Sequence, residues 1–128
     1  MEVCFSLSVP PPACYPAIFV GWNIVTKVVI MRRIIINEPS YIAPFNEPAR
    51  DLRVQNKPLW LWQRDLLAKH ANEEREYPDW EVARQLETDE TECLVHRDNL
   101  LFNQLLIDDF IEKARSGGRP VRLAFRAD

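Results

Sequence analysis

The chain has 128 residues and a mass of 15.0 kDa, which is enough for one compact domain and too little for two independent ones. Hydrophobic residues make up 47% and charged residues 27%, a composition that excludes a wholly disordered chain. The net charge of −3 gives no bulk attraction to polyanions, so we expect neither nucleic acid nor an anionic membrane surface as a partner.

Three cysteines and two histidines are distributed without the spacing of a zinc site or of a disulfide framework. A disulfide between Cys4 and Cys14 stays open as one alternative. Reduced thiols are the favoured alternative, and with them a cytoplasmic location.

Residues 1–30 differ in character from the rest of the chain. Four prolines between positions 10 and 16 exclude a regular helix there, and the apolar stretch Ala17–Met31 follows them. This stretch is short for a membrane span and contains Asn23 and Lys27, so a membrane anchor is an unfavoured hypothesis. We therefore predict that residues 1–30 are an amino-terminal extension, poorly ordered or peripheral, and that residues 31–128 form the domain.

The remaining chain alternates between two kinds of apolar pattern. Three stretches have the pattern of strands, namely Ile34–Ile36, Cys93–Val95 and Arg119–Arg126. Two stretches carry apolar residues at helical spacing, namely Pro58–His70 and Asn103–Ser116. This order predicts an α/β fold with a Rossmann-like, mostly parallel sheet of three strands and two main helices.

The segment Lys69–Glu92 is acidic, with nine Asp or Glu residues against three basic ones. We interpret it as a solvated surface connection, within which a short helix is possible at Trp80–Leu86. The tryptophans are expected in the core or at an interface, because no basic patch surrounds them as in a base-stacking surface.

Ligands of open α/β sheets bind beyond the carboxyl ends of the strands, and two loops occupy that place here. The first loop contains Arg50, Arg53 and Lys57, which could bind an anionic group beside a helix amino terminus. The second contains Asp98 and Asn99, oxygen donors suited to Mg²⁺. The alternatives are ordinary surface cations in the first loop and a turn or helix cap in the second.

Three segments match, in order, motifs of one enzyme family. Arg53–Leu59 resembles a P-V-x-G-K-P-L segment that opens a helix, and Leu94–Phe102 resembles a strand that ends in G-D-N-x-x-F. Gly117–Arg126 resembles a later G-A-x-V strand. In these segments the chain is similar to sugar-1-phosphate nucleotidyltransferases, which make a nucleotide sugar from a nucleoside triphosphate and a sugar phosphate with release of pyrophosphate.

The resemblance implies a function for each candidate residue. Asp98 would hold the catalytic Mg²⁺, and Arg53 and Lys57 would neutralise the charge that develops during transfer. Arg50 and Asn99 would join Arg53 and Lys57 in binding the phosphates.

The chain also departs from the family pattern. The family's glycine-rich phosphate loop is absent, since Asn37–Tyr41 contains no glycine, and Asn56 and Arg97 stand where the motifs have glycine. We therefore predict a partial nucleotidyltransferase-like domain of a sugar-nucleotide-handling protein, inactive or incomplete on its own. The alternative is a non-catalytic interaction module of the same fold, which docks on a partner protein domain through its tryptophan-bearing helix and its acidic segment.

Overall fold

A computed structural model of the chain describes residues 3–8, 31–88 and 91–125. The main sheet has five strands: β1 (Val3–Ser8), β2 (Met31–Ile36), β3 (Glu73–Tyr77), β4 (Glu92–Arg97) and β5 (Val121–Phe125). Three helices lie within the described ranges: α1 (Leu59–Leu67), α2 (Trp80–Leu86) and α3 (Gln104–Gly117). The protein is therefore a mixed α/β structure, as the alternating pattern predicted.

The strands lie in the order β3–β2–β4–β1–β5. The first three are parallel, and Ile34 in the middle of β2 pairs with Arg75 of β3 and with Val95 of β4. All six residues of β2 are buried, as expected for a central parallel strand. The predicted parallel pairing of Ile34–Ile36 with Cys93–Val95 is thus confirmed.

The order of the parallel strands reverses at β2. The chain leaves β2 through α1 to reach β3 on one side, and then crosses through α2 to reach β4 on the other. The two crossing helices cover opposite faces of the sheet: Leu67 of α1 shares a core with Ile107 of α3, whereas Ala83 of α2 packs with Ile34 and Val95. The carboxyl ends of β2 and β4 therefore flank a topological switch point, where α/β sheets bind their ligands.

Both predicted main helices are confirmed, with shorter bounds for the first. Pro58 precedes the first turn of α1, a position where its missing N–H is not needed. Asn103 caps α3 by accepting a hydrogen bond from the Leu106 N–H, and Gly118 ends the helix in the left-handed conformation at φ 59°.

The acidic segment is largely solvent-exposed, as predicted, but it is more than a connection because it forms part of the sheet. Its residues Glu73–Tyr77 form the edge strand β3, and the carboxylates of Glu73 and Glu74 accept hydrogen bonds from Arg32 and Arg33 of β2. Strand β3 has no apolar pattern from which it could be predicted, because its glutamates form ion pairs with arginines of β2. The short helix Trp80–Leu86 was correctly anticipated.

The last predicted strand is present but has a different neighbour. Strand β5 runs in the same direction as β4, yet β1 lies between them and pairs antiparallel with both. The expected sheet of three strands is therefore a five-stranded, mixed one, because strand order depends on pairings between segments far apart in sequence.

The segment that was expected to be a peripheral extension thus contributes β1, Val3–Ser8, to the interior of the sheet. The apolar stretch Ala17–Met31 lies outside the described residues except for Met31, as does Cys14 of the possible disulfide. The domain boundary at residue 31 stays a prediction. Within the described ranges, no helix combines the length and the apolar character needed to cross a bilayer.

Candidate functional site

Asp98 is the first residue after β4 and joins the ends of two parallel strands. Its N–H donates to the carbonyl oxygen of Ile36 at 3.1 Å, and its Oδ1 accepts from the N–H of Glu38 at 2.9 Å. The residue is 2% exposed. Burial raises the pKa of Asp98, and the Glu38 N–H and the charge of Arg50 offset this rise in part. The switch point therefore holds a buried carboxylate whose ionised form is disfavoured.

Arg50 is the predicted cation that the structure brings to this carboxylate. It lies in a short 3₁₀ turn, Ala49–Asp51, and its Nη1 is 3.8 Å from Asp98 Oδ2. Its Nη2 donates to Glu76 Oε1 of β3 at 3.2 Å. Burial lowers the pKa of Arg50, but the hydrogen bond and the charge of Glu76 raise it by more. The pKa of Arg50 is therefore above its ordinary value, and the guanidinium stays charged.

Lys57 and Arg53 lie on a small antiparallel ladder, Arg53–Val54 with Lys57–Pro58, immediately before α1. The Lys57 ammonium donates to the carboxylate of Asp65 and lies 4.6 Å from the centre of the Trp62 ring. Arg53 is exposed, and its side chain has no hydrogen bond or ion pair within the described part of the chain. The structure thus places both cations near the start of α1 without an ion pair to Asp98.

The turn that joins the two halves of this ladder explains one departure from the family motif. Gln55 and Asn56 have φ of 50° and 66°, as the two central residues of a type I′ hairpin turn require. Asparagine tolerates this left-handed conformation better than other non-glycine residues do. Asn56 therefore occupies a glycine-like conformation where the motif has glycine.

Asn37 is a candidate site residue that sequence reasoning did not single out. It follows β2 directly, and the pairing of Ile36 with Arg97 places it in register beside Asp98. Its Oδ1 is buried and has no hydrogen-bond partner among the described residues. The signal was present in the sequence, because Asn37 is the first polar residue after a buried apolar run.

The donor atoms at this edge fit a hard cation. Oδ2 of Asp98 is left for a further ligand, and the orphaned Oδ1 of Asn37 is an amide oxygen on the adjacent strand end. Mg²⁺ is commonly held by one or two carboxylates together with phosphate oxygens and water. The described residues contain no cluster of three or more His, Cys, Asp or Glu side chains that could hold a metal ion.

Gln63 of α1 fixes the loop that carries Asp98, a function that the sequence did not reveal. Its Nε2 donates to the carbonyl oxygens of Asp98 at 2.9 Å and of Leu100 at 2.7 Å. The side chain is 1% exposed, so these bonds form in a water-excluded setting. Helical periodicity does not predict such a contact. In the sequence, a buried glutamine looks the same as one at the border between the apolar and polar faces of an amphipathic helix.

His96 lies near the end of β4, and both of its ring nitrogens form hydrogen bonds within the protein. It is fully buried, and its Nε2 accepts from Arg33 Nε at 2.9 Å while its Nδ1 donates to the Arg97 carbonyl at 2.8 Å. This pattern needs the neutral ring with its proton on Nδ1. Burial and the neighbouring Arg33 charge lower the pKa of His96 to about 3.

A cleft of about 740 Å³ lies between α1 and the segment that follows Asp98. Its walls are mostly apolar, with polar side chains at Gln55, Asn99, Asn103 and Gln104. Asn99, which the sequence predicted to bind phosphate, lines this cleft, and its Oδ1 is buried without a partner in the described part of the chain. The site therefore has two adjoining parts, a charged edge at Asp98 and an apolar cleft at Asn99.

Comparisons of the chain with protein-family models, with curated proteins and with solved structures found no match.

Proposed function

We propose that this chain is a nucleotidyltransferase-like domain of a sugar-nucleotide-handling protein, which binds a nucleoside triphosphate with Mg²⁺. The observation that supports this function most directly is the meeting of Asp98 and Arg50 at the switch point between β2 and β4. A buried carboxylate and a cation at this position are suited to a metal–phosphate ligand.

Each residue at the edge has a distinct task in this proposal. Asp98, with Asn37 beside it, holds the metal ion, and Arg50 contacts a phosphate oxygen. Bound Mg²⁺ neutralises phosphate charge. Ligand binding also relieves an unfavourable feature of the free protein, since a buried carboxylate gains a stronger cationic partner than Arg50 at 3.8 Å.

The proposal is limited to binding for the domain on its own. In a glycine-rich loop, successive backbone N–H groups surround a triphosphate. Here the N–H of Glu38 already donates to Asp98, and the prolines at 39, 44 and 48 have no N–H to donate. Lys57 is occupied by Asp65, so the charge neutralisation proposed for Lys57 and Arg53 during transfer requires a rearrangement at the start of α1.

Calorimetric titration of the whole chain with UTP or dTTP, in the presence and absence of Mg²⁺, tests this function. We expect binding that depends on Mg²⁺ and that Asp98→Asn reduces at least about tenfold. Asparagine retains the Oδ1 that accepts from Glu38 and removes a buried charge, so the fold is preserved. Asp109→Asn, at an exposed carboxylate of α3, is the matched control and leaves binding unchanged. Absence of binding at millimolar nucleotide contradicts the proposal.

A second candidate function is the non-catalytic interaction module, and exposed apolar side chains favour it. A small hairpin after β2 pairs Tyr41–Ile42 with Glu47–Pro48. On it Tyr41 and Phe45 are 68% and 63% exposed, and Leu105 of α3 is 81% exposed. The acidic segment supports docking less than expected, because Glu73 and Glu74 are paired with arginines of β2. The titration above distinguishes the two functions, since this module binds no nucleotide.

A further inference from the structure

The cleft beside Asp98 has the size and the walls of a small-molecule site. Its volume of about 740 Å³ falls in the range of about 300–1,000 Å³ that is typical of ligand pockets. Trp62 and Leu66 of α1 line one side, and Leu101, Phe102 and Leu106 line the other. Such walls suit a flat, largely apolar group and not a flexible polar one.

The polar groups of the cleft restrict the occupant further. Oδ1 of Asn103 already accepts from the Leu106 N–H, and Nε2 of Gln104 donates to Asp108. Oδ1 of Asn99 is the one buried polar atom of this wall that has no partner in the described residues. A lining with so few polar side chains suits a planar heterocycle, whereas a sugar would need partners for several hydroxyl groups.

The cleft adjoins the proposed phosphate site on the same face of the sheet. Leu94 belongs to the core under α1 and α3, and His96 contacts Phe102 with ring centres 5.7 Å apart. Alternation along the strand extends this face to Asp98. Gln63 binds the carbonyl oxygens of Asp98 and Leu100, so the segment between the two sites is fixed.

From these observations we infer that the cleft between α1 and residues 99–106 receives the nucleobase of the nucleotide whose phosphates bind at Asp98 and Arg50. The inference rests on the proposed function and adds to it the place where the base is recognised. The apolar walls cover the ring of the base, and the polar side chain of Asn99 belongs to the same lining.

Two matched leucine variants and two ligands test the inference. Leu101 lines the cleft and is 62% exposed, whereas Leu105 is 81% exposed and does not line it. Both side chains lie outside the buried core, so Leu101→Gln and Leu105→Gln should fold normally, which circular dichroism verifies. The ligands are UTP and inorganic tripolyphosphate, each with Mg²⁺, and calorimetric titration measures binding.

We expect the wild-type chain to bind UTP more tightly than tripolyphosphate. Leu101→Gln raises the Kd for UTP about fivefold and leaves the Kd for tripolyphosphate unchanged, and Leu105→Gln changes neither. Equal affinities of the wild type for the two ligands, or a Kd for UTP that Leu101→Gln does not alter, would overturn the inference while leaving the phosphate site intact. If neither ligand binds, both the inference and the proposed function fail.

Discussion

At the scale of single residues, His96 links the stability of the protein to pH. The folded state keeps this ring neutral down to a pKa of about 3, whereas the unfolded chain takes up a proton near pH 6.5. Between these two values the unfolded chain binds a proton that the folded protein does not. The free energy of unfolding is therefore highest above pH 6.5 and decreases as the pH falls toward 3. Each pH unit in this window removes up to about 1.4 kcal/mol from the free energy of unfolding.

His96→Gln is expected to make this pH dependence shallower. The glutamine amide supplies an oxygen that accepts from Arg33 and an N–H that donates to the Arg97 carbonyl, yet it does not titrate. Urea unfolding at pH 6.5, 5.5 and 4.5 gives the slopes to compare. Equal slopes for wild type and His96→Gln would show that other groups set the pH dependence.

At the scale of elements, the turn between Val54 and Lys57 contains a residue in an unfavourable conformation. Gln55 has φ of 50°, a left-handed conformation that glycine adopts more readily than glutamine does. We expect Gln55→Gly to raise the free energy of unfolding by about 0.5–1 kcal/mol. Asn56→Ala at the next position should lower it by a similar amount. Urea unfolding measures both, and a destabilised Gln55→Gly would contradict the type I′ geometry.

The elements also show how far the sequence could predict the structure. Strands β2 and β4 and helices α1 and α3 carry apolar patterns of their own, so local periodicity was sufficient to locate them. Strand β3 has no such pattern, because its glutamates pair with Arg32 and Arg33 on the neighbouring strand. Strand β1 precedes a proline-rich stretch, and its place in the sheet depends on partners at least 85 residues away, as Ser8 is from Cys93.

The same contrast applies to the candidate site. Asp98 and Arg50 could be predicted, since charged residues that follow parallel strands meet at one edge of a sheet. Gln63 could not be, because its function depends on how closely α1 packs against the loop after β4. The pairing of Lys57 with Asp65 was also missed, because Lys57 precedes α1 and Asp65 lies in its last turn.

At the scale of the whole molecule, the five-stranded sheet consists of two differently assembled parts. One is the parallel unit β3–β2–β4, which is built by consecutive crossovers and carries the candidate site. The other is the pair β1 and β5, which is hydrogen-bonded to the first part through β1 alone. Val121 and Leu123 of β5 also pack against the core that includes Leu67 and Leu94. Strand β1 therefore supplies the strand pairing of β5, and the core supplies the remaining contacts.

A chain that begins at Met31 tests this dependence. Without β1, strand β4 loses its partners on one side and β5 has no neighbour in the sheet, so we expect a lower thermal midpoint and rapid hydrogen exchange throughout β5. Ser6→Pro in the full chain separates the loss of β1 from the loss of residues 9–30, because proline removes a backbone donor from a strand that is paired on both sides. A chain beginning at Val3 serves as the control and should match the full chain. If the Met31 chain is as stable as the full chain, β1 is dispensable and residues 1–30 are the peripheral extension that their composition predicted.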